Sequence, residues 1–353
     1  MRNILGRLID DGGQHVRTKV IAIYTLLVFV NVGAWLWAFI AFRHFPVQLG
    51  TALLAYSFGL RHAVDADHIA AIDNVTRKLM QEGKRPVAVG FFFSLGHSTI
   101  VCLATVAIAL TATAFKDQFE TFKATGGIVG TVVSASFLLA IAFMNFIILI
   151  ALYRTFRRVK AGGTYVEEDM NLLLASGGFL ARIFRPLFKS ISRSWHMYPL
   201  GFLFGLGFDT ATEVGLLGIS ATGASQGMSV WSILVFPALF TAGMSLVDTT
   251  DSVLMLGAYG WAFVKPIRKI YYNLTITSVS IVVALVVGGI EALGLIGDQL
   301  DLKGSFWSLI GTANDNFGNI GFVIVGIFIA AWIISAVIYR VRGYDNIDVR
   351  TST

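Results

Sequence analysis

The sequence predicts an all-α integral membrane protein of eight transmembrane helices, and three observations carry that prediction. The 353-residue chain is 56% hydrophobic and only 14% charged, with a mean hydropathy of +0.73, far from soluble-domain averages. Eight stretches reach the roughly 20 mostly apolar residues that a membrane helix needs. They cover residues 20–42, 50–72, 87–112, 127–153, 199–221, 231–257, 270–290 and 319–340. The basic residues between them alternate in density, as loops on the two sides of a bilayer do. Alternating strands of about ten residues, the mark of an outer-membrane barrel, are absent.

Segment one is too long for a signal-peptide core and lacks a small-residue cleavage site, so it reads as a retained helix. Segment two holds Arg61-His62-Ala63-Val64-Asp65-Ala66-Asp67-His68. Each ionisable group there costs several kcal/mol at bilayer depth, about 2.5–3.5 on the lenient scales. Such a cluster survives only if it faces protein or water. Two imidazoles and two carboxylates are a ligand set for a borderline divalent transition metal. On an ideal helix with His62 at zero, Asp73 lies near about +20°, Asp65 near about −60° and His68 near about −120°. Arg61, near about −100°, is one turn from Asp65 and reads as its charge-balancing partner. Asp67 falls near about +140°, on the far side. Either it serves another neighbour or the helix is locally unwound, which Gly59 upstream permits.

Segment three brings His97 and the single cysteine, Cys102. One cysteine excludes an internal disulfide framework, and Cys102 reads as a small buried apolar residue. Segment five places Asp209 and Glu213 one turn apart, and segment six puts Met244, Asp248 and Asp251 within about 60° of one another. Thr210, Thr212, Thr249 and Thr250 interleave these acids as supporting hydrogen-bond partners. His15, His44 and His196 read as ordinary polar residues near loops and ends, and Trp35, Trp37, Trp307 and Trp332 as interface anchors. Acids thus dominate the apolar segments, with Asp73 a further one, and only Arg61 is basic there. That balance favours a cation path over an anion path.

The loops carry the opposite charge. With the N-terminus cytoplasmic, inside connections hold Arg2, Arg7, Arg17 and Lys19, then Arg77, Lys78, Lys84 and Arg85. Eight more follow between Arg154 and Arg193, then Lys265, Arg268 and Lys269, and Arg340, Arg342 and Arg350. Outside lie only Arg43, Lys116, Lys123 and Lys303. Both termini are therefore expected in the cytoplasm, in a multi-pass inner-membrane protein. The net charge of +6 follows from these flanks and gives no nucleic-acid surface. The long connection 154–198, with Gly162-Gly163 and Glu167-Glu168-Asp169, reads as a cytoplasmic linker. It joins halves 1–153 and 199–353 of a single membrane domain.

The halves share a pattern. Phe58-Gly59-Leu60 precedes the cluster of segment two, and Phe204-Gly205-Leu206 precedes Asp209 and Glu213. Downstream, Phe93-Ser94-Leu95-Gly96-His97-Ser98 matches Phe240-Thr241-Ala242-Gly243-Met244-Ser245, at spacings of 35 and 36 residues. The expected topology makes this repeat of segments two-three and five-six inverted, an arrangement typical of secondary transporters. It sets His97 and Met244 in equivalent positions, and both side chains can ligate metal, so Met244 joins the candidate ligands.

These residues carry a family resemblance. His62-x4-Asp67-His68 resembles the signature of the nickel/cobalt transporter (NiCoT) permeases. So do Leu95-Gly96-His97-Ser98-Thr99, Leu206-Gly207-Phe208-Asp209-Thr210-Ala211-Thr212-Glu213, and Gly243-Met244 followed by Asp248-Thr249-Thr250-Asp251. The resemblance spans about residues 20–340. It implies eight transmembrane helices and uptake of Ni²⁺ or Co²⁺ by a single-component secondary carrier without an ATPase subunit; no P-loop is present. It also implies a central role for His62, Asp67 and His68 in metal recognition, which favours an unwound segment two.

The expectation is import by alternating access, with the metal as substrate and no permanent cofactor. His62, His68 and His97 supply nitrogens, and Asp67 and Asp65 balance charge. Asp209, Glu213, Asp248 and Asp251 form the opposing wall or relay. Rival readings are an exporter of the same metals, an intramembrane metalloenzyme and a passive channel. The enzyme reading lacks a His-Glu-x-x-His pair, and tight histidine ligation opposes the channel.

Overall fold

The computed structural model describes residues 11–111, 116–161, 190–206, 211–262 and 266–344. The described residues form helices and connections with no strand. In chain order the helices are α1 (Val16–Phe42), α2 (Pro46–His62), α3 (Ala66–Gln81), α4 (Val89–Thr111) and α5 (Lys116–Lys160). A 3₁₀ turn at Ser194–His196 leads into α6 (Met197–Phe204) and α7 (Ala211–Ser225). Then come α8 (Val230–Ile233), α9 (Val235–Ala262), α10 (Pro266–Gln299), α11 (Ser305–Asp315) and α12 (Phe317–Val341).

Among the described residues, six helical stretches are long and apolar enough to cross a membrane: Val16–Phe42, Val89–Leu110, Gly127–Lys160, Val230–Gly260, Ile270–Gln299 and Asn319–Val341. The other two expected segments are interrupted. Segment two is divided into α2 and α3 by Ala63, Val64 and Asp65. Segment five ends its first part at Phe204, passes through residues outside the described set, and resumes at Ala211. Ideal-helix geometry therefore does not apply across segment two, as the awkward bearing of Asp67 anticipated.

The first interruption has a defined shape. Val64 N–H donates to Arg61 O at 3.0 Å and Asp65 N–H to His62 O at 2.9 Å, tightening the last turn. Asp65 then turns extended, φ −63°, ψ 147°, and its carbonyl accepts from Ile69 N–H at 3.2 Å to start α3. Gly321 of α12 lies against the exposed Val64 carbonyl, where a Cβ would come within 1.5 Å of that oxygen.

Helix α3 is the most enclosed element: all its residues except Asp67 and Gln81 are buried. The peripheral helices show the reverse pattern, with Phe29 and Ile40 of α1 and Val341 of α12 more than 70% exposed. Polar groups inside and apolar groups outside are what a lipid solvent dictates. Arg77 and Lys78, read from sequence as loop charges, are both buried. Lys78 Nζ donates to the Ile191 carbonyl and pairs with Glu82 at 3.1 Å, and Lys84 Nζ donates to Ser192 O at 2.7 Å. These contacts tie the end of α3 to the segment preceding α6. Residues 154–160, expected to begin the linker, instead continue helix α5, and residues 162–189 lie outside the described set.

Glycines set the closest crossings. Gly59 of α2 meets the Phe240 carbonyl of α9, and Gly243 of α9 meets Tyr56 of α2. Gly96 of α4 meets Tyr198 of α6, and Gly201 of α6 meets Phe93 of α4. Each interrupted segment thus packs on an unbroken helix from the opposite half of the chain. A Cβ at Gly59 would sit 2.1 Å from Phe240 O, whereas one at Gly50 would meet nothing within 4 Å. Overpacking of this kind costs about 1–3 kcal/mol. Gly59→Ala should therefore lower the melting midpoint of the detergent-solubilised protein by several degrees, and Gly50→Ala should leave it unchanged. Equal midpoints would show that α2 and α9 do not meet as described.

Candidate metal site

The interruption in segment two puts two histidines on facing helix ends. His62 is in the last turn of α2 and His68 in the first turn of α3. His97, in α4, joins them, and one ligand atom from each of the three lies within 4.8 Å of the others. Ring centroids are separated by 4.7 Å for His62–His68, 4.7 Å for His62–His97 and 4.9 Å for His68–His97. All three are buried. Phe93, one turn before His97, packs edge-on to His68 at 4.8 Å, and Phe240 packs on His62 at 5.5 Å. These two aromatics wall the site. The sequence marked them only as repeat signposts, although the spacing Phe93–His97 already put both on one helix face.

Carboxylates orient the rings. His62 Nδ1 lies 2.9 Å from Asp65 Oδ2 and 3.2 Å from Thr212 Oγ1. His68 Nδ1 lies 3.3 Å from both carboxylate oxygens of Asp248. His97 Nε2 lies 2.8 Å from Glu213 Oε1 and 2.9 Å from His62 Nε2. With Nδ1 of His62 turned to Asp65, its Nε2 faces the interior of the triad. For His62 and His68 the carboxylate sits behind the ring on Nδ1, which fixes ring orientation and raises ligand basicity, whereas Glu213 meets His97 at Nε2 itself. The 2.9 Å between the two Nε2 atoms is close to the spacing of two nitrogens at right angles around an ion with bonds of about 2.1 Å, about 3.0 Å. Meanwhile His68 Nε2, His97 Nδ1 and Asp67 Oδ1 are buried with no hydrogen-bond partner. Leaving such groups unsatisfied is costly unless something is received there.

The remaining sequence-derived residues fall in different places. Asp67, in the first turn of α3, is within electrostatic reach of all three histidines. Glu213, in the first turn of α7, and Asp248, on α9, touch the triad. Asp251 lies one turn past Asp248, and its Oδ2 is buried without a partner. Met244 is buried in an apolar cluster with Val101, Leu216, Phe236 and Phe240. Asp209 and Thr210 lie outside the described residues. Arg61 is exposed, and among the described residues it forms no ion pair with Asp65, whose carboxylate goes to His62 instead. The wheel put Arg61 and Asp65 together by assuming one continuous helix. The interruption turns the Asp65 carboxylate to His62 and leaves Arg61 exposed, outside ion-pair distance but still within electrostatic reach of that carboxylate.

Comparison with known proteins bears on these residues. The family model described as high-affinity nickel-transport protein (NicO) matches residues 48–338. The chain is 63% identical to the high-affinity nickel transport protein of Cupriavidus necator, over 95% of each chain. It is 48% identical to the nickel transporter NixA of Staphylococcus aureus, covering 89% of this chain and 92% of that one. It is also 41% identical to the cobalt transport protein NhlF of Rhodococcus rhodochrous, covering 80% of each. No solved structure matches the chain.

The contrast between Asp65 and Arg61 is directly measurable. Removing an outer carboxylate from a ligating histidine typically weakens metal binding about 10–100-fold. Asp65→Ala should do so for a divalent probe such as Ni²⁺ in equilibrium dialysis of the purified chain, and Arg61→Ala should change affinity less than about twofold. Comparable losses from the two substitutions would restore the Arg61–Asp65 pair.

Proposed function

The chain belongs to the high-affinity nickel-transport family and is a multi-span membrane transporter rather than an enzyme; from that premise we propose that it imports Ni²⁺ or Co²⁺ across the bacterial cytoplasmic membrane, by alternating access around His62, His68 and His97. The observation that carries this reading is the buried triad. Three imidazoles meet within ligand distance, and two of them keep a buried nitrogen with no partner. Borderline donors of this kind suit nickel and cobalt. The ion is cargo, and the mechanism needs neither a permanent cofactor nor an ATPase subunit.

The transport cycle follows from the architecture. Counting α2 with α3, and α6 with α7, as one interrupted crossing each gives eight crossings with the six uninterrupted ones. Both interrupted segments carry Phe-Gly-Leu at the end of their first part, within the helix in one and running out of it in the other, and an acid, Asp67 or Glu213, in the first turn of the second part. Their glycine-mediated crossings are exchanged between the halves. These features support an inverted repeat whose halves rock about a shared site. The two halves form one membrane domain, with linker 154–198 and both termini cytoplasmic, as the basic loops favour. An inward-negative potential then drives a divalent ion by about 4.6 kcal/mol per 100 mV.

At the site, the imidazoles replace water molecules of the hydrated ion. Asp65, Asp67, Glu213 and Asp248 offset its charge within a region where lone charges are strongly disfavoured. Asp251, and Asp209 by its sequence position, extend the acidic path.

Accumulation of ⁶³Ni²⁺ and ⁵⁷Co²⁺ in cells expressing the chain tests the proposal. The parent should accumulate one or both ions well above empty cells, and His62→Ala and His68→Ala should each reduce this at least about tenfold. Accumulation equal to that of empty cells would remove the importer reading, and accelerated loss from preloaded cells would replace it with export.

A further inference from the structure

Between the triad and the basic end of α3 lies a group of buried polar side chains outside the metal-binding set. Asp73 is fully buried. Its Oδ1 accepts a hydrogen bond from the Tyr259 hydroxyl of α9, and its Oδ2 accepts one from Ser280 Oγ of α10 at 2.7 Å. One turn further along α3, Arg77 is 1% exposed. Its guanidinium donates to Thr277 Oγ1 at 3.0 Å and to Asn74 Oδ1 at 2.7 Å. Asn145 of α5 donates to the same Asn74 oxygen at 2.8 Å. Arg77 Nε has no partner, and among the described residues no carboxylate lies within ion-pair distance of the guanidinium. Yet Asp73 feels its charge. A buried cation held only by neutral acceptors, one turn from an acid, is costly as it stands and can be relieved by a small movement.

Two further observations give that movement a direction. Asp251, its Oδ2 buried without a partner, stands on α9 between Asp248 at the triad, one turn before it, and Tyr259, which holds Asp73, about two turns after it. Asp251 and Tyr259 also line one cavity of about 740 Å³, whose wall includes Ile276, Val279, Phe328 and Trp332. The Tyr259 ring, buried on the Asp73 side, has open volume beside it.

We propose that Asp73, Tyr259 and Ser280 form the inner gate of the transporter, closed in this structure, and that it opens when Tyr259 swings into the adjacent cavity while Arg77 takes over the Asp73 carboxylate. This rests on the inward direction of transport given above. The exchange has a physical purpose. A bare Asp73 on the exit route would hold a divalent ion, and conduction needs sites weak enough to leave. Arg77 neutralises the carboxylate as the hydroxyls let go, so the ion passes from Asp251 without a trap below it.

The test uses the full chain with Cys102→Ser, which removes the only thiol, and as reporter Ala284→Cys, one turn beyond Ser280 on α10 and fully buried. In inside-out vesicles, a membrane-impermeant maleimide should label position 284 slowly. Adding Tyr259→Phe should speed labelling about tenfold, the effect of losing one hydrogen bond to a charged acceptor. Equilibrium ⁶³Ni²⁺ binding should be unchanged. An independent pair, Arg77→Gln and Arg77→Lys, should bind normally, with uptake reduced by the first and largely restored by the second. Equal labelling with and without Tyr259→Phe, or equal labelling from right-side-out vesicles, overturns the gate. Full uptake by Arg77→Gln overturns the exchange even if Tyr259→Phe fails to fold. If the parent chain accumulates no metal, the transport reading fails first and the gate with it. If the parent accumulates metal and labelling is unchanged, the gate alone fails.

Discussion

Three residues outside any helix, Ala63, Val64 and Asp65, set the position of nearly everything else. An α-helix at bilayer depth satisfies its own backbone, and breaking it exposes carbonyls and amides that need other partners. Here the break is kept short by two tight backbone hydrogen bonds and is sealed by Gly321 of α12 against the Val64 carbonyl. What it provides is a pair of facing helix ends. The last turn of α2, which holds His62, presents the negative end of a helix dipole and favours a cation. The first turn of α3, which holds His68, presents the positive end and opposes one. Asp65 and Asp67 stand at that second end. Their placement follows from the need to cancel the dipole before a metal ion can sit beside it.

The same constraint governs the partner helices. His97 lies on unbroken α4 and Asp248 on unbroken α9, so rigid elements carry the groups that face the two helix ends. The glycine crossings then lock α2 to α9 and α4 to α6, each across the boundary between halves. The two pairs are themselves joined through α4 and α9, by Gly90, where a Cβ would come 1.9 Å from Asp248 O, and by the Ser94–Ser245 hydrogen bond at 3.0 Å. His62 and Asp248 on one pair and His97 on the other are therefore held at fixed separations, and the triad is set by rigid helix contacts before an ion arrives.

Most of this was legible in the sequence where a single cost dominates. Charges inside apolar stretches are too unfavourable to be incidental, so His62, His68, His97, Glu213 and Asp248 could be singled out, and the structure brings them together. The bearing of Asp67 on an ideal wheel even signalled the broken helix. What could not be read was anything that depended on how the break turns the chain. The i, i+4 relation of Arg61 and Asp65 presumes a continuous helix, and with three residues out of it the direct contact goes to His62 while Arg61 acts on Asp65 only from a distance. Arg77 and Lys78 looked like solvated flanks because linear position says nothing about α3 being enclosed by α5, α9, α10 and α12. Tyr259 and Ser280 carried no signal at all. A tyrosine and a serine are unremarkable in apolar helices, and only their meeting at Asp73 gives them a role.

The polar contacts of the triad also constrain how an ion can enter it. The His62 and His97 Nε2 atoms lie 2.9 Å apart, and two bare lone pairs at that distance repel, so a proton must sit on one of them. Glu213, 2.8 Å from His97 Nε2, is the natural acceptor of that N–H. A metal ion needs the lone pairs that this arrangement occupies, because imidazole ligates through an unprotonated nitrogen. Ion and proton therefore exclude each other from the centre of the triad, and the proton has an adjacent carboxylate to move to. Glu213 therefore meets the triad at the very nitrogen an ion would need, and its place in the first turn of α7 puts that contact on the second interrupted segment.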